Sequence, residues 1–201
     1  EIVELAKQQN MRVWSELELA WQFSNRITPL VALAGDAMNT AKILNTIFRA
    51  EGWEVLVGGP AFNPMSYVAA ANERFDVVIG LFEPTQLENT FEIIPTVSAV
   101  VGDLSPTAGR VYENTELFCV YDADLAGSAE LVAQAEVLEG ASAIGFTKRT
   151  PAPGMVGIVE DLLVDRAYVE NPHEAAAEIA QFSGQISTDV LLAITISLAF
   201  D

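Results

Sequence analysis

The stretch LVALAGDAMNTAKILN, Leu30 to Asn45, constrains the fold of this chain more than any other. It opens as a continuous apolar run, breaks at Gly35 and continues from Met38 with apolar residues at helical spacing. A buried strand that turns through glycine into a helix is the building block of parallel α/β sheets, and it is a place where such sheets hold phosphate. The residues in the turn argue the other way. Asp36 adds negative charge to the loop, and Asn39 stands where a phosphate loop needs lysine.

The rest of the chain fits the same architecture. Strand patterns at 53–57, 76–81, 97–101, 117–121 and 141–146 alternate with helical ones at 38–51, 65–72 and 126–138. Ser15 reads as the N-cap of the helix ELELAWQF, with Glu18 at the capping-box position, and Met11 to Trp14 reads as a short strand before it. The segment MVGIVEDLLVDRAYVE reads as a hairpin turning at Glu160 and Asp161, and 186–198 as the last helix. The expectation is an α/β fold of three layers, a mostly parallel sheet with helices on both faces and a small antiparallel edge.

A chain of 201 residues with 51% hydrophobic content can bury a core of domain size. Ten basic residues against 28 acidic ones give a net charge of −18, which repels nucleic acid, anionic membranes and free nucleotide alike. Between Leu30 and Ser105 the basic residues are Lys42, Arg49 and Arg74, a thin provision for a triphosphate. Apolar runs such as LLAITISLAF fall short of the ~20 residues that span a bilayer. With Cys119 as the single cysteine and no basic-then-apolar leader visible, the expected location is cytoplasmic. The opening EIVELAKQQ is helix-like from its first residue and reads as part of a longer chain.

The order of segments resembles the Mur ligase family, and within it the D-glutamate-adding branch of peptidoglycan synthesis. MRVWSELELAWQF resembles the family's passage from its N-terminal domain into its central ATPase domain. TIFRAEGWEVLVGG resembles the helix and strand after the family P-loop, and QLENTFEIIPTVSAV the stretch after its metal-binding glutamate. GASAIGFTKR and GQISTDVLLAITISLA resemble the late strand and final helix of that domain. The resemblance implies residues 1–24 as a remnant of the N-terminal domain and linker helix, 25–201 as the central domain, and the C-terminal ligase domain as absent. It also implies an ATP-dependent amide-forming ligase, in which ATP and magnesium activate a carboxylate as an acyl phosphate before an amine attacks it.

The motifs of that chemistry align poorly. Against the family run G-T-N-G-K-T stand Gly35, Asp36, Ala37, Met38, Asn39 and Thr40. The lysine is Asn39, the second glycine is Met38, and Asp36 reads as the N-cap of the following helix. Thr40 keeps the hydroxyl of the magnesium position and reads equally as a helix-start residue. Lys42 is one turn too far along to replace the lysine. The metal-binding glutamate aligns with Leu81, with Glu83 two residues on, and the histidine ligand and modified lysine of DLSPTAGRVYENTELF are missing. On the adenine side Gly184 to Val190 has lost the histidine and both asparagines, and Asn63 with Pro64 keeps only the end of a loop.

Outside these motifs, His173 is the sole histidine and reads as the first turn of a helix after Pro172. Asp103, Asp122 and Asp124 fall at strand ends and read as ordinary loop carboxylates, Cys119 as core, and Trp14, Trp21 and Trp53 as core or interdomain packing. No catalytic and no metal-binding residue is assigned. Gly35, Asp36, Asn39 and Thr40 are the vestigial P-loop. The expectation is a non-catalytic Mur-ligase-like domain, a natural pseudoenzyme or an engineered scaffold, with no cofactor. A protein partner or a second copy remains open, and nucleic acid and membrane are excluded as partners. The alternative is a divergent ATP-binding domain that needs ATP, magnesium and groups from missing domains or a partner.

Overall fold

The computed structural model describes residues 2–24, 26–60, 63–70 and 74–201. In chain order it holds α1 (Ile2–Gln8), α2 (Glu16–Phe23), β1 (Leu30–Gly35), α3 (Met38–Ala50), β2 (Val55–Gly58), α4 (Met65–Ala70) and β3 (Val77–Phe82). There follow α5 (Pro84–Leu87), β4 (Val97–Val101), α6 (Pro106–Gly109), β5 (Phe118–Asp122), α7 (Ser128–Ala133) and β6 (Ser142–Phe146). The chain closes with β7 (Met155–Val159), β8 (Leu162–Asp165), β9 (Ala177–Gln181) and α8 (Thr188–Ser197).

The nine strands form one sheet in the order β2-β3-β1-β4-β5-β6-β7-β8-β9. All pairings from β2 to β7 are parallel, and β8 and β9 add an antiparallel edge. The expected three-layer architecture with its small antiparallel edge is the observed one. Glu160 takes a left-handed φ of 57° as the first residue of the tight β7–β8 turn.

β1 lies inside the sheet, between β3 and β4, and its residues suit burial on both faces. Val31 and Leu33 enter one apolar cluster with Ala41, Leu44 and Phe48 of α3 and Leu191, Leu192 and Ile196 of α8. Leu30, Ala32 and Ala34 enter the cluster on the opposite face, with Leu17 and Ala20 of α2, Met65 of α4, and Tyr112. Period-two alternation between two cores is what a strand with helices on both sides requires. β3 and β4 flank β1, so successive connections run to opposite sides of it. The crevice outside its carboxyl end is therefore a topological switch point, where open α/β sheets place ligands.

Four local expectations are corrected. The short strand expected at Met11 to Trp14 is not formed: residues 11–14 are neither helix nor strand, and the Ser15 N–H that follows them bonds the Asn89 carbonyl. The helix expected over 126–138 is only Ser128–Ala133, because the Asn114 N–H takes the Glu136 carbonyl and the Leu138 N–H donates to Thr115. His173 lies in an exposed turn rather than in a helix, since β8 captures Ala177–Gln181 as a strand. The capping box at Ser15 is half formed. Ser15 Oγ accepts the Glu18 N–H at 3.0 Å, whereas the Glu18 carboxylate turns into the core. Of the helix expected at 65–72, Met65–Ala70 is observed, and residues 71 and 72 lie outside the described residues.

Candidate nucleotide site

The switch point is built from the end of β1, the turn at 35–37, the start of α3, the end of β4 and the start of α8. Gly35 has φ 85°, and a side chain there would place its Cβ 2.2 Å from the Val101 carbonyl oxygen. The close approach is fixed by a cross-strand bond, in which the Asp36 N–H donates to that same carbonyl at 3.0 Å. The Ala37 N–H folds back on the Gly35 carbonyl at 2.9 Å. Two backbone donors of the turn thus point to protein acceptors.

Asp36 is not the N-cap of α3. That position is Ala37, which has no side-chain cap, because the turn sets Ala37 directly before the first helical residue. The Asp36 side chain is left exposed at the mouth of the crevice, and Asn39 is exposed beside it. Met38 is half-buried and packs against the α3–α8 core cluster, so its bulk is spent on packing. Lys42 is exposed further along α3.

Thr40 is wholly buried, and its hydroxyl donates to Asp189 Oδ1 at 2.7 Å. Asp189 stands in the first turn of α8, behind the N-cap Ser187, whose Oγ accepts the Val190 N–H at 3.3 Å. In the sequence Asp189 stands out only as part of the run Gly184 to Val190, which has lost its histidine and asparagines. The available signal was an Asp in the first turn of a Ser-capped helix, which says nothing of a partner 149 positions away.

The remaining sites stay apart. Leu81 is buried in β3. Glu83 lies exposed before α5, its N–H held by Gln86 Oε1 at 3.1 Å with Pro84 starting the helix. Asp103 Oδ1 accepts the Ser105 N–H at 2.8 Å, and Ser105 caps α6 by accepting the Ala108 N–H at 3.1 Å. Asn63 is exposed, and its carbonyl receives the Gly59 N–H as a turn residue would. Cys119 is buried in β5 with its Sγ 3.7 Å from Ser98 Oγ. Trp53 stacks on Phe48, with ring centroids 5.2 Å apart, whereas Trp14 stays on the surface at 44% exposure.

At the ends of β5 and β6 the carboxylates are anchored one by one. Asp124 accepts from the Thr147 hydroxyl at 2.8 Å, the Lys148 N–H at 2.7 Å and the Arg149 guanidinium at 2.6 Å. Partial burial would raise the Asp124 carboxyl, but these three donors outweigh it and hold the group below its ordinary range. Burial pushes the neighbouring Asp122 up, against the Asp124 N–H that it accepts at 2.9 Å. Among the described residues no group of three His, Cys, Asp or Glu side chains is arranged to hold a metal ion. Among them, too, no helix is long and apolar enough to cross a membrane.

No protein-family model matches the chain. Individual relatives do. The UDP-N-acetylmuramoylalanine–D-glutamate ligase of Streptomyces coelicolor is 31% identical over 198 residues, covering 89% of this chain and 42% of the relative. The same-named ligase of Tropheryma whipplei is 26% identical over 231 residues, covering 98% of the chain and 47% of the relative. Among solved structures, a UDP-N-acetylmuramoyl-L-alanyl-D-glutamate–2,6-diaminopimelate ligase matches with a TM-score of 0.58 and 12% identity, covering 85% of this chain and 43% of that one. A MurF ligase from Thermotoga maritima, solved with ADP, matches with a TM-score of 0.56 and 12% identity, over 92% of this chain and 48% of that one. The chain spans about two-fifths of the length of the curated relatives it matches. In sequence along most of its length, and in fold, it belongs to the Mur ligase family.

Proposed function

We propose that this chain is a non-catalytic Mur-ligase-like domain, corresponding to the family's central domain, that serves as a structural or interaction module. The observation that carries the reading is the inward engagement of the loop. The Thr40 hydroxyl, which keeps its family position, is bound to a carboxylate of the same chain. The Asp36 N–H is bound to Val101, and no lysine follows where Asn39 stands. A carboxylate at the hydroxyl and another at the turn, with no cation between them among the described residues, are a poor fit for the phosphates of ATP and for magnesium held through Thr40. No reaction step through ATP is therefore assigned to this domain. The single buried and unpaired Cys119 fits a reducing, cytoplasmic setting.

A second reading is favoured by the names of the relatives, all D-glutamate ligases. In it the chain is a divergent ATP-binding portion of such an enzyme, completed by further domains or a partner chain. The melting temperature separates the two. A ligand that binds the folded state stabilises it by mass action, about 2.7 kcal/mol at one hundred times its Kd. The proposed reading expects no change in Tm with millimolar ATP and magnesium. A rise of several degrees overturns it in favour of the second.

A further inference from the structure

α3 and α8 lie side by side on one face of the sheet and run in the same direction. Thr40 in the first turn of α3 meets Asp189 in the first turn of α8. At the other end Phe48 meets Phe200 edge-on, with ring centroids 5.3 Å apart. Both helices therefore begin at the same place, beside the Gly35 turn, and the partial positive charge of two helix starts favours an anion there. The chain supplies that anion itself. Asp189 is held by a charge-assisted hydrogen bond from a wholly buried hydroxyl, a stronger bond than a neutral pair makes.

We propose that the Thr40–Asp189 bond is an autoinhibitory contact: the α8 carboxylate occupies the hydroxyl of α3 and fixes negative charge at the shared helix start, and so excludes polyphosphate independently of Met38 and Asn39. This deepens the reading under Proposed function and rests on it. Its consequence is that restoring the loop is not enough. A glycine and a lysine in the loop still face Asp189, and a phosphate that would use Thr40 must first displace an internal ligand whose effective concentration is fixed by the fold.

The test compares affinities for ATP with magnesium by isothermal titration calorimetry in two variants of the whole chain. One carries Met38→Gly and Asn39→Lys, and the other adds Asp189→Ala. The contact predicts binding tighter by about tenfold or more in the triple variant. Equal affinities overturn it, as does the absence of binding in both. Asp189→Asn in the same loop background keeps the shape and an acceptor for Thr40 but drops the charge. It serves if the alanine variant does not fold, and its failure to bind more tightly than the double variant also overturns the proposal. Binding of ATP by the unaltered chain would defeat the proposed function, whereas failure here leaves the unaltered chain's behaviour as it was.

Discussion

The backbone N–H of Asp36 reaches across 3.0 Å to the carbonyl of Val101, so the turn that leaves β1 is stitched to the end of β4. That bond closes the switch point from below. It also explains why Gly35 is glycine. With φ at 85° and the Val101 oxygen 2.2 Å from the site of a Cβ, any side chain would strain the turn and push the two strand ends apart.

Gly35→Ala is accordingly expected to destabilise the fold by ~2 kcal/mol or more, from left-handed strain plus a backbone clash. Urea denaturation would measure it. A loss below ~0.5 kcal/mol, within the range of neutral surface changes, would mean that the turn is not held as described.

Tyr112 joins β4 to its other neighbour, β5, from the opposite face of the sheet. Its hydroxyl accepts the Val100 N–H at 3.1 Å and donates to the Val120 carbonyl at 3.0 Å, with the residue 1% exposed. Tyr112→Phe leaves two buried backbone groups unpaired, and the expected cost is about 2–3 kcal/mol. Burial also raises the Tyr112 and Tyr168 phenols far above their usual range. A raised folded pKa means stability that is complete below the unfolded value, ~10, and is lost as pH climbs beyond it. Absorbance at 295 nm should show these two phenols ionising together with unfolding. Ionisation of Tyr112 ahead of the loss of circular dichroism would contradict its burial.

Glu18 is a wholly buried carboxylate with no cation beside it among the described residues. One oxygen takes the Phe91 and Glu92 N–H groups at 2.8 and 3.0 Å, and the other takes Gln22 Nε2 at 2.9 Å. It fastens α2 to the loop before β4. Glu18→Ala should cost about 2–3 kcal/mol by orphaning two N–H groups. Amide exchange at Phe91 and Glu92 should quicken well beyond exchange in β1. Unchanged protection at those two amides would argue against the anchor.

What the sequence reveals of this fold is its long, periodic parts. Leu30 to Asn45 announces a buried strand and its helix because each step has its own local signal: apolar alternation, glycine, then helical spacing. Ala177–Gln181 was illegible for the opposite reason. HEAAAEIA favours helix by propensity, and only pairing with β8 makes it a strand. Glu18 sits at a capping-box position, yet the two backbone amides it anchors lie more than 70 residues away. The loop residues Gly35, Asp36, Asn39 and Thr40 are singled out by motif position, whereas Asp189 comes in through a contact that no spacing rule reports.

The paired aspartates at the end of β5, Asp122 and Asp124, yield a prediction with two opposite signs. Asp124 is held below its ordinary pKa despite partial burial, by Lys148, Thr147 and Arg149. A lowered folded pKa contributes stability that is present above the unfolded value, ~3.9, and is lost as pH falls through the folded one. Asp124→Asn should therefore cost about 1–2 kcal/mol at pH 7, from weakened charged hydrogen bonds, and progressively less as the medium is acidified. Asp122 is raised by burial, so its ionisation opposes folding once pH exceeds its folded pKa. Asp122→Asn keeps an oxygen for the Asp124 N–H and removes that charge, so the variant should be at least as stable as the parent at pH 7. Its advantage should vanish below the unfolded pKa, where the parent is also neutral. Denaturant midpoints of both variants from pH 3 to 8 would read the two slopes. If Asp122→Asn lost stability at neutral pH while Asp124→Asn did not, the assignment of the anchoring role to Asp124 would be reversed.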